Sequence, residues 1–257
     1  MYSTILYALT DGVAVLTLNR PEVMNALSSQ MRGELLAAFA RAAAEARVVV
    51  LTGAGRAFCS GQDLGDAQGM AHLDMERTLR DEYEPLLKAI TDCPLPVIAA
   101  VNGAAAGAGA NLALACDVVI AAESASFIQA FTRIGLIPDA GGTYWLPRQI
   151  GMARAMGAAL FAPRVTAAQA MAWGMIWEAV PDDGFAVHWQ AQAALLAAGP
   201  TLAYRGVKQA LRVSFDNDLD AQLALEARLQ GQCGRTADFR EGVAAFLAKR
   251  PAQFTGS

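Results

Sequence analysis

A run of small residues most constrains how this chain can fold. Between Gly103 and Ala110 no side chain is larger than a methyl group, and the run lies between two apolar segments, Val97–Val101 and Asp117–Ala121. Small residues let a ligand approach the main chain closely and meet bare N–H groups at the start of a helix. The run therefore predicts either a backbone binding site for a negatively charged oxygen or close packing of a helix against a sheet.

Strand–loop–helix units recur on both sides of this run. The chain opens with a predicted hairpin, because Asp-Gly at residues 11–12 separates two alternating apolar segments. The spacing of apolar residues then predicts a helix over about 28–45, a strand over 48–52, a loop over 53–64, a helix over about 72–91 and a strand over 97–101. The Gly/Ala run after this strand is predicted as a second loop. Such units predict an α/β fold with a parallel sheet that binds ligands beyond the carboxyl ends of its strands.

The pattern becomes purely helical near residue 200. Helices are predicted over 201–212 and 216–231, and Asp238 with Glu241 is interpreted as a capping box at the start of the last helix. We therefore expect a catalytic core over residues 1–199 and a C-terminal helical subdomain over residues 200–257.

Asp139 lies directly before a Gly-Gly pair and a helical segment. Aspartate is a preferred N-cap residue, so one interpretation is a structural cap. The other is a proton carrier, because apolar neighbours such as Ile134, Leu136, Ile137, Pro138 and Trp145 would raise the pKa of a carboxyl group. Both interpretations remain open at this point.

Composition narrows the class of protein. A net charge of −4 over 257 residues provides no basic surface, which argues against nucleic acid as the main partner. The four cysteines have no CxxC spacing and the only histidines are His72 and His188, so we expect no metal site. The sequence has no signal-peptide pattern and no sufficiently apolar span, so we expect a cytoplasmic protein without a membrane partner.

Four motifs occur in a characteristic order along nearly the whole chain. They are Asn19-Arg20-Pro21 with Asn25-Ala26-Leu27, the segment Ala57 to Leu64, Val101-Asn102-Gly103 with Gly107-Ala108-Gly109, and the segment Gly135 to Thr143. In this order they resemble the crotonase family, also called the enoyl-CoA hydratase/isomerase family. The resemblance implies an α/β fold, a ClpP/crotonase-like spiral of ββα units with a C-terminal helical subdomain, assembled as a homotrimer or a dimer of trimers.

The same resemblance implies the substrate class and several site residues. It assigns the backbone N–H groups of Gln62 and Ala108 to an oxyanion hole for an acyl-CoA thioester. The residues expected to contact coenzyme A are Ala26, Ser60, Gln62, Asp63, Leu64 and Lys249. Lys249 is equally interpreted as a solvated lysine at a helix C-terminus. Coenzyme A is part of the substrate, so no separate cofactor is expected.

Two departures from the hydratase pattern indicate an isomerase. Hydratases of the family use two glutamates to activate water, and the matching positions here hold Asn111 and Phe131. An amide and a phenyl ring cannot act as a general base. The acid falls instead at Asp139, where the family's isomerases keep theirs, with Asn111 expected to orient it or to contact the substrate.

Three further segments narrow the choice of acyl group and of reaction. Gly103 to Pro147, Trp173 to Trp177 and the tail from Arg240 to Gly256 resemble family members that convert ring-1,2-epoxyphenylacetyl-CoA to oxepin-CoA. Alternatives are a hydratase, a hydrolase or dehalogenase that uses Asp139 as a nucleophile, and a non-catalytic acyl-CoA-binding subunit. The side chains that either form a dry substrate pocket or pack in the core are Phe127, Ile128, Phe131 and Trp145.

Overall fold

The computed structural model describes residues 2–65 and 74–257. The strands are β1 (Ile5–Thr10), β2 (Val13–Leu18), β3 (Val48–Gly53), β4 (Ala57–Cys59), β5 (Val97–Val101), β6 (Ala104–Ala106), β7 (Val118–Ala122), β8 (Ser126–Ile128), β9 (Val165–Thr166) and β10 (Glu178–Val180). The helices are α1 (Ser29–Glu45), α2 (Met75–Thr78), α3 (Glu84–Thr91), α4 (Ala108–Leu114), α5 (Gly142–Phe161), α6 (Ala167–Trp173), α7 (Phe185–Ala197), α8 (Thr201–Val213), α9 (Leu219–Cys233) and α10 (Ala237–Leu247).

The larger sheet has six strands in the order β1-β2-β3-β5-β7-β10. The predicted hairpin is confirmed as the antiparallel pair β1–β2, and the remaining pairs are parallel. In β3, Val48 to Leu51 are completely buried, which is typical of a parallel strand covered on both faces. Helices α1 and α7 both contact this sheet.

A smaller sheet, in the order β4-β6-β8-β9, carries the loops of interest. Two of its strands, β4 and β6, lie in segments that the sequence predicts as loops, so the loop prediction is wrong there. Alanine, which makes up all of β6 and begins β4, is not enriched in strands, and tertiary pairing overrides the local preference. Strand β6 pairs in parallel with both β4 and β8.

Capping residues set several helix ends. The Ser28 hydroxyl accepts the Met31 N–H at the start of α1, and Thr166 forms a capping box with Gln169 at the start of α6. Gly174 ends α6 in the left-handed conformation. The helix predicted over 72–91 is observed from Met75 onward, and its first predicted residues, including His72, lie outside the described residues.

The predicted capping box at the last helix is wrong. Thr236 caps α10, and its hydroxyl accepts the Phe239 N–H at 3.0 Å. Asp238 is buried inside the first turn, where its carboxylate accepts the N–H groups of Thr255 at 2.7 Å and Gly256 at 2.9 Å. The acid is therefore used to hold the C-terminal tail rather than the helix end, a contact that local sequence cannot reveal.

Partly buried charges join the C-terminal helices to the sheets. The Asp117 carboxylate accepts hydrogen bonds from Lys208 and Arg212 of α8, each at 2.6 Å, and from the Val97 N–H at 2.8 Å. Arg47 donates to the Gly199 carbonyl at 2.6 Å and to the Phe254 carbonyl at 3.2 Å. The division at residue 199/200 stays a prediction, because these contacts cross it.

We expect Asp117→Asn to lower the free energy of unfolding by about 3 kcal/mol, because it leaves two cations and one backbone N–H without a carboxylate. Urea unfolding at fixed protein concentration measures the change. The control is Glu76→Gln, which breaks an exposed pair with Arg80 and should cost less than about 1 kcal/mol. Equal stability of the two variants would contradict a central role for Asp117.

Candidate active site

Two neighbouring loops present the amides of Gln62 and Ala108. Leu27 donates to the Gly61 carbonyl at 2.8 Å, and Asp63 donates to the Leu27 carbonyl at 3.2 Å. In such a parallel bridge the N–H of the intervening residue, Gln62, faces away from the partner strand. Ala108 is the first residue of α4, so its N–H has no acceptor within the helix.

Glycines allow the two loops to approach each other. A Cβ atom on Gly61 would lie 3.4 Å from the Ala108 nitrogen and 2.8 Å from the Ala106 carbonyl, and Gly61 has a positive φ of 97°. A Cβ atom on Gly109 would lie 2.5 Å from the Cys59 carbonyl. The close-packing interpretation of the Gly/Ala run is therefore correct, and the same packing brings the two loops side by side.

Asp139 does not cap the helix that follows it. The N-cap of α5 is Gly141, and the Asp139 main-chain carbonyl accepts the Gly142 N–H at 2.8 Å. The Asp139 Oδ1 atom is buried and has no hydrogen-bond partner among the described residues. The capping interpretation is therefore wrong, and no other described residue pairs with the buried Oδ1 atom.

Asn111 fixes the main chain at Asp139. Its Nδ2 donates to the Asp139 carbonyl at 2.7 Å, and its Oδ1 accepts from Gln129 Nε2 at 2.8 Å. Asn111 is completely buried. Both ends of its amide are engaged by protein atoms, so of the two roles considered, orienting the acid and contacting the substrate, the geometry favours the first.

The Gly-Gly pair after Asp139 is required by two side chains. A Cβ atom on Gly141 would lie 2.4 Å from Trp145 Nε1, and one on Gly142 would lie 2.4 Å from Asn111 Nδ2. Gly141 also has a positive φ of 80°. The pair therefore lets the indole ring and the Asn111 amide pack directly against the main chain beside the carboxylate.

Asp139 lines a largely apolar cavity of about 700 Å³, a size typical of small-molecule sites. One wall is the helical segment from Met75 to Thr91, and the other is the segment from Leu136 to Trp145. Burial raises the pKa of Asp139 to about 6, while a hydrogen bond from its own backbone N–H lowers it. A carboxyl group with this pKa can exchange a proton near neutral pH.

The predicted apolar neighbours of Asp139 separate into two groups. Leu136, Ile137, Pro138 and Trp145 line the cavity. Ile134 is 59% exposed and does not line it. Among the side chains predicted for a dry pocket, Phe127, Ile128 and Phe131 do not line it either, and both phenyl rings are buried. Of the four side chains considered for a dry pocket, only Trp145 therefore lines this cavity.

Sequence reasoning missed Tyr83 and Arg32. Tyr83 belongs to a stripe of apolar residues that only indicated a core-facing helix, yet its hydroxyl donates to Gln62 Oε1 at 2.5 Å. Arg32 lies on α1 and also donates to Gln62 Oε1, at 2.9 Å. Neither residue belongs to a motif, so no local signal identified them.

The residues expected to contact coenzyme A fall mostly in one region. Arg20 Nη1 donates to the Ala26 carbonyl at 2.9 Å and to Asp63 Oδ2 at 2.6 Å. The hydroxyl of Ser60 donates to the Val23 carbonyl at 3.2 Å, and Leu64 is 47% exposed. Ala26, Ser60, Gln62, Asp63 and Leu64 are thus brought together. Lys249 is exposed beyond the end of α10 and does not line the cavity beside Asp139.

Within residues 2–65 and 74–257, no group of three or more His, Cys, Asp and Glu side chains could hold a metal ion. The helices in the same ranges include none with the length and apolar character needed to cross a membrane.

Comparison with known proteins gives one consistent family. The enoyl-CoA hydratase/isomerase family model matches residues 9–257. A "probable enoyl-CoA hydratase" of Rhodobacter capsulatus is 67% identical over 99% of both chains. The 1,2-epoxyphenylacetyl-CoA isomerase of Escherichia coli strain K12 is 48% identical over the full length of both chains.

The fold is shared with solved structures of the same family. The crystal structure of an enoyl-CoA hydratase from Bacillus anthracis superposes with a TM-score of 0.92 at 35% identity, covering 99% of this chain and 100% of that one. This similarity confirms the predicted α/β crotonase fold. The chain therefore belongs to the enoyl-CoA hydratase/isomerase, or crotonase, family.

Proposed function

We propose that the protein is an isomerase of acyl-CoA thioesters that converts ring-1,2-epoxyphenylacetyl-CoA to oxepin-CoA and also shifts enoyl-CoA double bonds. The observation that carries this proposal is the buried, unpartnered Oδ1 of Asp139 at an apolar cavity, with a pKa of about 6. A group of this kind suits a reaction that moves a proton within one substrate. The 48% identity to the Escherichia coli 1,2-epoxyphenylacetyl-CoA isomerase supports the choice of acyl group.

In the proposed mechanism the thioester carbonyl accepts hydrogen bonds from the N–H groups of Gln62 and Ala108. These donors stabilise the negative charge that develops on the carbonyl oxygen when the α-carbon loses a proton. Each such donor contributes roughly 10² to 10³ in rate. Because the two N–H groups stabilise this charge, the α-proton becomes acidic enough for a carboxylate to remove.

Asp139 removes the α-proton and forms a thioenolate. The protonated carboxyl group then returns the proton further along the conjugated system, so one residue acts first as base and then as acid. With the epoxide substrate, the ring expands to the oxepin during the shift. No water enters and no group leaves, so the reaction needs only one carboxyl group.

Hydration is the alternative, and the 67% identity to a "probable enoyl-CoA hydratase" favours it. Against it, the two positions that match the water-activating glutamates hold Asn111 and Phe131, and both side chains are buried. The other acid at the cavity, Glu84, is paired with Lys88 at 2.5 Å. Mass spectrometry separates the reactions, because hydration adds a water molecule to the product and isomerisation leaves its mass unchanged.

Two further alternatives predict different products. A hydrolase or dehalogenase would form a covalent acyl or alkyl adduct at Asp139, and hydrolysis of that adduct in labelled water would leave the label in the Asp139 carboxylate or in the product. A non-catalytic subunit would bind acyl-CoA and yield no product. Incubating the pure protein with ring-1,2-epoxyphenylacetyl-CoA, a 3-enoyl-CoA and a 2-enoyl-CoA in separate reactions distinguishes all four possibilities.

We propose that Ala26, Ser60, Gln62, Asp63 and Leu64 contact the coenzyme A portion of the substrate. The ammonium group of Lys249 is proposed to bind a phosphate of that coenzyme A or of one bound to a neighbouring subunit. The protein needs no other cofactor under this proposal. The four cysteines are free, and three of them are buried, which fits the reducing cytoplasm that we propose as its location.

We also propose that the chain forms a homotrimer or a dimer of trimers. Its last two helices expose large apolar side chains, including Leu219, Phe246 and Leu247, at 71%, 83% and 75% exposure. Exposed apolar surface of this extent marks an interface. The fitting partner is a second copy of this chain.

Asp139→Asn is expected to reduce turnover of the epoxide substrate by about 10² to 10⁴, the range for a positioned acid or base. Acyl-CoA binding should stay within about twofold of wild type, since the amide keeps the shape of the side chain. Oxepin-CoA formation and calorimetric binding provide the two measurements. Glu84→Gln, at the same cavity, is the matched control and should retain activity; the reverse result would assign the base to Glu84.

The pH dependence should follow ionisation of Asp139. The base must be deprotonated, so kcat/KM should fall about tenfold per pH unit below a pKa of about 6 and be constant above it. The folded-state pKa lies above the ordinary value of 3.8, so charging Asp139 destabilises the fold as pH rises through 6. Asp139→Asn should therefore raise the urea midpoint at pH 8 and change it little at pH 4.

Phe246→Asp is expected to dissociate the oligomer, because it places a charge within the exposed apolar surface of α10. Light scattering after size-exclusion chromatography measures the mass. A trimer of 27.0 kDa chains gives 81 kDa, three times the chain mass. The control is Leu6→Asp on β1, also at an exposed position. A wild-type protein that elutes as a monomer would refute the assembly.

A further inference from the structure

The side chain of Gln62 accepts hydrogen bonds from two helical segments, α1 and the turn Leu79–Tyr83. Both lie outside the two loops that carry the Gln62 and Ala108 amides, which are called the oxyanion loops below. The Gln62 Oε1 atom accepts the Tyr83 hydroxyl at 2.5 Å and Arg32 Nη1 at 2.9 Å. Both donors are buried, with Arg32 and Tyr83 each 3% exposed. Two buried donors on one amide oxygen fix the orientation of the side chain and restrict the main chain to which it is attached.

Arg32 binds both residues of the bridge that orients the Gln62 amide. The same Nη1 atom that reaches Gln62 also donates to the Leu27 carbonyl at 2.6 Å. The other side of the guanidinium group pairs with Glu82 Oε2, at 2.6 Å from Nη2 and 2.9 Å from Nε. A planar group with fixed donors can join these three acceptors, whereas a lysine ammonium could not cover the same geometry.

The cavity beside Asp139, which is proposed to hold the acyl group and is called the acyl cavity below, supplies the remaining contacts. They come from its helical wall, Met75 to Thr91. Residues Leu79–Tyr83 form a π-helical turn between α2 and α3, a feature often found at functional sites. At the end of this turn two consecutive residues face Arg32: Glu82 forms the ion pair, and the Tyr83 ring lies 4.7 Å from the guanidinium carbon. The wall is therefore connected to the amide side of the oxyanion loop through Arg32 and Gln62.

We propose that Arg32 and Tyr83 are positioning residues that orient the Gln62 N–H toward the thioester carbonyl and couple the acyl cavity to the oxyanion hole. The proposal rests on the proposed function only in using Gln62 as an oxyanion donor. An acyl group that fills the cavity contacts Tyr83, and Tyr83 holds Gln62. The rate of enolate formation is thereby linked to the shape of the acyl group.

The test variants are Tyr83→Phe and Arg32→Met. Controls exist on the opposite, exposed face of the same helix α1, because Arg41 pairs with Glu45 at 2.8 Å and lies 4.2 Å from the Tyr7 ring, and the Tyr7 hydroxyl donates to Glu45. Tyr7→Phe and Arg41→Met thus remove a tyrosine hydroxyl, an arginine ion pair and a cation–π contact. Neither residue hydrogen-bonds to Gln62 within the described part of the chain. Circular dichroism and the thermal midpoint verify folding of each variant.

The first measurement is the carbonyl stretching frequency of bound phenylacetyl-CoA labelled with carbon-13 at the thioester. Hydrogen bonds from the oxyanion hole lower this frequency in wild type. The second is the exchange of the α-proton of the same ligand with deuterated water. We expect Arg32→Met to slow exchange about tenfold and Tyr83→Phe severalfold, below the roughly 10² to 10³ for loss of a whole oxyanion donor. In both variants the carbonyl frequency should shift partly back toward its value for free phenylacetyl-CoA in water. The Kd for phenylacetyl-CoA should stay within about twofold of wild type.

A double-mutant cycle separates positioning from direct contact with the substrate. Gln62→Met keeps the backbone N–H and removes the shared acceptor, so adding Tyr83→Phe to it should cost little more. An undiminished effect of Tyr83→Phe in that background overturns the proposal, because Tyr83 would then act on the ligand itself. Wild-type frequency and exchange in folded Tyr83→Phe and Arg32→Met also overturn it.

Failure of this inference differs from failure of the proposed function. If wild type lowers the carbonyl frequency in a Tyr83-dependent way but forms no oxepin-CoA, the isomerase assignment fails and the positioning role holds. If wild type shows no lowered frequency, Gln62 is not an oxyanion donor and the positioning role is overturned. Asp139→Asn should abolish proton exchange and leave the carbonyl frequency unchanged.

Discussion

Burial of the Asp139 carboxylate is the interaction on which the rest of this site depends. A buried acceptor without a partner costs roughly 1 to 3 kcal/mol, and here Oδ1 is buried without a partner while Asp139 lines an apolar cavity. Surrounding contacts hold it there, since Asn111 binds the main-chain carbonyl and Gln129 in turn binds Asn111. The same desolvation that disfavours the charged form raises the pKa of Asp139 to about 6, so the destabilising feature is also the chemically useful one.

Close packing supplies the second part of the site. Gly109 lets α4 lie against Cys59, and Gly61 lets the loop after β4 approach the start of α4. The amides of Gln62 and Ala108 consequently belong to two main-chain segments that are in close contact. The small-residue run thus serves both packing and ligand access, two interpretations that are alternatives in the sequence and coexist in the structure.

This site departs from the hydratase pattern at the two positions where water-activating glutamates are expected. At the positions of the water-activating glutamates, Asn111 forms a buried amide contact and Phe131 packs a ring near Gly107. Neither can activate water, and each contributes to fixing the loops. The family membership is established from the sequence relatives, whereas the proposed isomerisation rests on the chemistry of the residues at these positions.

The sequence by itself determined the hairpin, most helix ends, the family and Asp139 with its Gly-Gly pair, because turn residues, caps and motifs are local signals. The predictions placed β4 and β6 in loops, because the pairing of these strands comes from segments distant in the chain. They also placed the cap of α10 at Asp238, which instead binds the C-terminal tail many residues later. Only the tertiary structure decided that Asp139 is no cap, that Asn111 faces its main chain, and that Arg32 and Tyr83 meet at Gln62. Those contacts join residues far apart in the chain, and the apolar stripe that carries Tyr83 gives no sign of where its hydroxyl points.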